Sequence, residues 1–202
     1  MAFIPTISAC LVDCTKIVIT DTTSFYNSTT NPYGWNDNST LWRTNAGSPY
    51  VTDATISISF NDQPVVTTSV LGNIQSAVFP SFDLYEYLPL TSAGTYALQD
   101  GYYNIVYSIT DNNDNVYQTE TQFMVYCNVA CCVSKLAAKV AQELLCNDCD
   151  SQAYDDFLIA DGILQALKAV AESKGTAEFT KLLTKLQRLC NQTTGDCGCG
   201  CN

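Results

Sequence analysis

Eleven cysteines and no histidine set the chemistry open to this chain of 202 residues. Without histidine there is no Ser-His-Asp or Cys-His nucleophile pair and no His-ligated metal. Thiol chemistry remains: structural disulfides, a thiolate-bound metal, or reduced cysteines acting as small core residues. Cys146-Asn-Asp-Cys149 is a two-residue-spaced pair, and Cys197, Cys199 and Cys201 form a dense trio. A tetrahedral zinc site drawn from Cys146, Cys149, Cys197 and Cys199 has the right ligand type. It lacks the rigid knuckle sequences that usually surround such pairs, and the tail half is flanked by glycine. No cofactor is therefore expected, and zinc is the metal that the cysteine pattern weakly admits.

Disulfides are the preferred reading of the cysteines. Cys146 and Cys149 flank the first turn between helices, Cys190 ends the third helix, and Cys127, Cys131 and Cys132 stand where strands give way to helices. Cys10 and Cys14 bridge each other or the final strand. The odd count leaves at least one cysteine free or paired between chains, and sequence does not fix the connectivity. A redox role for the Cys146–Cys149 pair would need a thioredoxin-like βαβ context, which the pattern lacks.

Carboxylates offer less. Asp148, Asp150, Asp155, Asp156 and Asp161 gather on and before the second helix, where helix-start charge and a solvated surface explain them. Asp111, Asp114 and the nearby asparagines could loosely ligate calcium, but they lack an EF-hand spacing and suit a turn. Asn27-Ser-Thr, Asn38-Ser-Thr and Asn191-Gln-Thr match glycosylation acceptors, which carry no weight without a secretion signal. No catalytic residues are expected, and the chain does not read as an enzyme.

The elements that position these residues fall into two textures. Up to about residue 127 the chain alternates and is rich in Thr, Ser, Asn and Tyr. Ile17 and Ile19 alternate with polar or β-branched neighbours, Ile56, Ile58 and Phe60 share one face, and Tyr103, Ile105, Tyr107 and Ile109 share another. Turns are expected at Asn61-Asp-Gln-Pro64 and Asp111-Asn-Asn-Asp-Asn115, and a weaker strand over 78–90. Asp100-Gly-Tyr-Tyr leading into a long strand is reminiscent of the tyrosine corner of immunoglobulin-like domains. Residues 21–53 form a long loop without sustained period, holding Tyr26, Tyr33, Trp35 and Trp42. A loop so long and aromatic suits a protein contact or a sugar-binding face, or folds back on its own domain.

From Val129 the period changes to that of helices. Leu136, Val140 and Leu144 mark a first helix. Tyr154, Phe157, Leu158, Leu164 and Leu167 mark a second, with Asp150-Ser151 as its cap. Phe179, Leu182, Leu183, Leu186 and Leu189 mark a third from Thr176, with Gly175 as the terminator before it. The expected fold is α+β: an N-terminal immunoglobulin-like antiparallel β-sandwich over 1–127, a small three-helix bundle over 128–193, and a Cys/Gly-rich tail over 194–202.

Charge narrows the partners. Charged residues are only 14% of the chain, against 47% hydrophobic, so its surface is polar and uncharged or covered by partners. The net charge is −11, and residues 1–127 carry eleven acids against Lys16 and Arg43. That field disfavours nucleic acid and anionic membrane as partners. The N-terminus lacks the basic start and apolar run of a signal peptide, and no stretch approaches the roughly 20 apolar residues of a membrane span. Folding in a reducing cytoplasm is expected.

Several segments in order resemble small virion structural proteins of tailed bacteriophages, the crAss-like phages of gut Bacteroidales in particular. They are Cys10-Leu-Val-Asp-Cys14, Thr30-Asn-Pro-Tyr-Gly-Trp-Asn36, the Asp100-Gly-Tyr-Tyr strand, Tyr126-Cys-Asn-Val-Ala-Cys-Cys-Val133, and the cysteine-rich helical end. The resemblance implies a small sandwich protein assembled as a ring around the portal, tail barrel or hub. On that basis Tyr33, Trp35 and the junction cysteines Cys127, Cys131 and Cys132 are interface or structural residues, and the family supplies no catalytic residue. The expected function is a non-enzymatic ring, collar or tail-hub subunit of the head-to-tail region. It would be assembled in the host cytoplasm into a cyclic oligomer and held with portal, tail or other ring proteins in the virion. The alternative is an adhesin-like module whose Tyr26, Trp35 and Trp42 loop recognises a glycan or host-surface protein.

Overall fold

A computed structural model describes residues 2–12, 16–21, 24–26, 50–72, 81–83, 99–145, 151–173 and 175–194. The protein is mixed α and β; among the described residues nine strands precede three helices. Its contacts divide the chain into two compact units. One is Met1–Leu98 with Tyr103–Phe123; the other is Gln99–Tyr102 with Met124–Asn202.

The strand-rich unit is built on a four-stranded sheet of order β6-β5-β8-β9, with β5 at Val51–Phe60, β6 at Gln63–Ser69, β8 at Gly101–Asp111 and β9 at Val116–Val125. The alternation in sequence becomes alternation in burial, because successive strand side chains point to opposite faces. Ala54, Ile56 and Ile58 on β5 and Ile105, Tyr107 and Ile109 on β8 are buried, while the residues between them are half-exposed. Tyr103 lies between two aromatic neighbours, 4.9 Å from Phe60, its partner on β5, and stacked 5.2 Å from Phe123. Three strands, β2 (Ile7–Val12), β3 (Lys16–Asp21) and β7 (Ser81–Asp83), form an antiparallel sheet of order β2-β3-β7. β1 (Ala2–Ile4) pairs with β4 (Ser24–Tyr26).

Local chemistry shapes the turns. The β5–β6 hairpin turns on Asn61 and Asp62, both at positive φ (47° and 63°), the handedness that matches the strand twist in a two-residue turn. The turn is shorter than the sequence suggests, since Gln63 and Pro64 already belong to β6. Proline is tolerated there because β6 ends the sheet order and the pairing shifts register beside it, between Ile58 and Ser59. A second irregularity, between Val51 and Asp53, frees Thr52, whose hydroxyl donates to the carbonyls of Thr110 and Asp111. Strand β4 falls inside the stretch 21–53 read from sequence as loop. Three residues carry too little period to be recognised without their partner strand.

In the helical unit, α1 spans Cys127–Leu145, α2 Ser151–Glu172 and α3 Thr176–Thr194. Their apolar faces meet in one core around Leu136, Ala160, Leu164, Leu167, Phe179, Leu183 and Leu186, which also takes in Tyr102 and Met124. Gly175 does not end α2 in the left-handed manner expected of a helix-stopping glycine: its φ is not positive. Its N–H nonetheless donates to the Val170 carbonyl at 3.3 Å and closes the last turn of α2, and its carbonyl accepts the Phe179 N–H at 2.9 Å, so it also begins α3.

Candidate functional site

The first turn of α1 contains no acidic residue, and Tyr126, whose carbonyl accepts the Ala130 N–H at 3.1 Å, has no side-chain acceptor suited to capping. The cap comes from elsewhere in the chain. Asp100, buried, accepts the N–H of Asn128 on one carboxylate oxygen (3.0 Å) and that of Val129 on the other (2.9 Å). These are the second and third helical positions, the donors that a residue at the helix start normally satisfies. Burial pushes the Asp100 carboxyl above its ordinary value, and the N–H groups of Asn128, Val129 and Cys127 pull back against it without cancelling it.

Directly below, Cys132 on α1 and Cys190 on α3 are joined by a disulfide, their Cα atoms 6.1 Å apart and both side chains in the core. The bridge closes a separation of 58 residues and lies within the helical unit at both ends. It ties the helical bundle to itself, α1 to α3. Cys127 and Cys131 are disulfide-bonded as well. A pocket of about 260 Å³ lies beside this staple, lined by Asp100, Asn128, Val129, Cys132, Gln187 and Cys190.

A larger groove, of about 710 Å³, runs between α2 and α3. Ile159, Ile163, Ala177 and Leu189 give it apolar walls, and Lys181, Lys185 and Arg188 stand along its α3 side. On α2 beside it Tyr154, Leu158 and Ile159 are each about half exposed, at 48%, 50% and 52%.

The other buried acid, Asp111, closes the β8–β9 hairpin. Its carboxylate accepts the backbone N–H of Asn113 (2.8 Å) and Asn115 (3.0 Å), the Asn115 side-chain amide (3.0 and 3.2 Å) and the Tyr117 hydroxyl (3.3 Å). Burial raises this carboxyl, but the donors from Asn115, Asn113 and Tyr117 outweigh it and hold Asp111 below its ordinary value. The same burial and the Asp111 charge push the Tyr117 hydroxyl up. Asp114 sits at positive φ (62°) and donates its N–H to the Asp111 carbonyl, and Asn112 exchanges two hydrogen bonds with the backbone of Tyr50. The turn role read from the sequence for Asp111 and Asp114 is what this geometry displays.

Of the residues singled out from sequence, the structure brings together Cys132 and Cys190. Cys10 lies on β2 and Tyr26 on β4. Cys14, Cys146, Cys149, Cys197, Cys199, Tyr33, Trp35 and Trp42 lie outside the described residues. Among the described residues no cluster of three or more metal-ligating side chains occurs. No described helix is long and apolar enough to cross a membrane. Sequence reading missed Asp100 as the cap of α1. The available signal was a helix start with no capping side chain of its own. No protein-family model matches the chain, and comparison with curated proteins finds no match.

Proposed function

We propose that this chain is a non-enzymatic structural subunit of a tailed-phage virion, a ring, collar or tail-hub component of the head-to-tail region. The observation that carries the reading is the division of a 202-residue chain into two compact units, each with buried apolar residues of its own. Such a chain offers two independently built surfaces to different neighbours. The low charge and the Thr/Ser/Asn/Tyr-rich strands agree with a surface covered by other subunits, and the resemblance of the cysteine and aromatic segments to crAss-like phage proteins points the same way.

In its finer form the strand-rich unit is an immunoglobulin-like sandwich. The long alternating strands β5 and β8, and a second antiparallel sheet of β2, β3 and β7, support that reading. Copies of the chain would repeat head to tail in a closed ring held by portal, tail or other ring proteins. Native mass measurement of the purified chain, with proteomics of purified particles, tests this. A closed oligomer and a stoichiometric place in the particle are expected; a chain missing from particles overturns it.

A further inference from the structure

Helix α2 keeps an apolar side that its own unit leaves uncovered. Ala153, Ala160, Leu164 and Leu167 are buried in the core, yet the exposed positions between Asp155 and Glu172 are Leu158, Ile159, Gly162, Gln165, Ala166 and Ala169. None is charged. Asp156, Asp161 and Lys168, each half-buried, border this uncharged strip without lying in it; a helix against solvent normally sets charge opposite its core face.

The α2–α3 groove continues this side and adds the opposite chemistry. Its α3 wall carries Lys181, Lys185 and Arg188, and no acid lines it. Lys181 approaches Glu178 at 3.8 Å, while among the described residues Lys185 and Arg188 form no ion pair. An occupant must therefore be apolar and acidic at once. The N-terminal half of α2 has that character, with Leu158 and Ile159 exposed and Asp155 and Asp161 flanking them.

We propose that two copies of this chain pair through this face, the α2 helix of each lying on the α2–α3 groove of the other. A two-fold contact brings one patch against itself, so acid, base and apolar surface must all lie on that one patch. A two-fold axis parallel to the helices sets α2 of one copy over α3 of the next. Leu158 and Ile159 then cover the groove floor, Asp155 and Asp161 meet Lys185 and Arg188, and the small side chains of Gly162, Ala166 and Ala169 allow close approach. The four helices pack as an ordinary bundle. This pairing concerns the helical unit and stands or falls separately from the virion reading, whose ring needs a head-to-tail contact elsewhere.

The test is sedimentation equilibrium of the full chain across the micromolar range, with far-ultraviolet circular dichroism as the check on folding. Wild type is expected to dimerise, and Leu158→Asp with Ile159→Asp to raise the dissociation constant at least about tenfold at unchanged helicity. Lys185→Glu with Arg188→Glu should weaken pairing similarly, and adding Asp155→Lys with Asp161→Lys should restore it. Should the Leu158 and Ile159 changes cost helicity, Ala166→Arg, at an exposed position, reads the same contact. A wild-type monomer throughout, a dimer indifferent to the α2 changes, or a charge exchange that does not restore pairing overturns the proposal.

Discussion

Asp100 and Asp111 are both buried, and both spend their carboxylates on backbone N–H groups, yet their regions use them in opposite ways. Asp111 gathers donors from within six residues of itself, enough of them to favour its charged form despite burial. Asp100 reaches 28 and 29 residues along the chain to a helix start, and there desolvation outweighs the donors. The contrast extends to the units around them. Short-range hydrogen bonds shape the hairpins of the strand-rich unit. In the helical unit a helix start and two helices are held by long-range ties, Asp100 to α1 and Cys132 to Cys190. The strand-rich unit uses its long-range side-chain bonds, Asn112 to Tyr50 and Thr52 to Thr110, beside strands already paired.

The comparison can be broken, and the largest effect belongs to the disulfide. Closing a loop of 58 residues restricts the unfolded chain by about 4 kcal/mol in the chain-entropy model. Cys132→Ala with Cys190→Ala is expected to cost about 2–4 kcal/mol in the helical unit. Hydrogen exchange in β5 and β8 should stay as it was; equal loss in both units would show that they are not separately stabilised.

Next come the aspartates themselves. Asp100→Ala removes a cap and should cost about 0.5–2 kcal/mol, confined to α1 and the helices packed on it. Asp111→Ala strands several donors at a part-buried turn and should cost about 0.5–1.5 kcal/mol, read as faster amide exchange along β8 and β9.

Acid should separate the pair by sign. The Asp111 pKa is lowered from 3.8 on folding, so its stabilisation is complete above that value and is lost as pH falls through the lower folded one. The Asp100 pKa is raised from the same value. Its contribution is most favourable below 3.8 and declines as pH rises through the folded value. Carboxyl titration by NMR should place the two on opposite sides of 3.8, and Asp111→Asn should flatten the acid sensitivity of the hairpin. Two midpoints on the same side would remove the contrast.

The smallest expected change is a gain. Asp114 occupies positive φ, where glycine has no side-chain penalty, so Asp114→Gly should stabilise the strand-rich unit by a few tenths to about 1 kcal/mol. Thermal unfolding of the variant measures it.

Period carried most of what the sequence revealed. Tyr103, Ile105, Tyr107 and Ile109 alternate, and Phe179, Leu183 and Leu186 recur at helical spacing, so their burial could be anticipated from order alone. What stayed hidden depends on partners distant in the chain. Nothing near α1 names Asp100 as its cap. Eleven cysteines permit too many pairings for Cys132 to single out Cys190. Pro64 reads as a turn residue until β6 is known to end its sheet, and Gly175 reads as a stop for α2 without showing that its carbonyl also starts α3. Helical spacing groups Tyr154 and Leu158 with Leu164 and Leu167, and periodicity does not say that the first two stand about half exposed while the others are buried.

Tyr102 and Tyr103 are neighbours on β8, yet Tyr102 is counted in the helical core while Tyr103 stacks with Phe60 and Phe123 among the strands. Side chains alternate along a strand, so a slip of one residue would turn each tyrosine away from the core it belongs to. The register of β8 is thus checked twice, by two separately packed cores. It works like a parity bit: a single-step error at this point cannot satisfy one core while escaping the other.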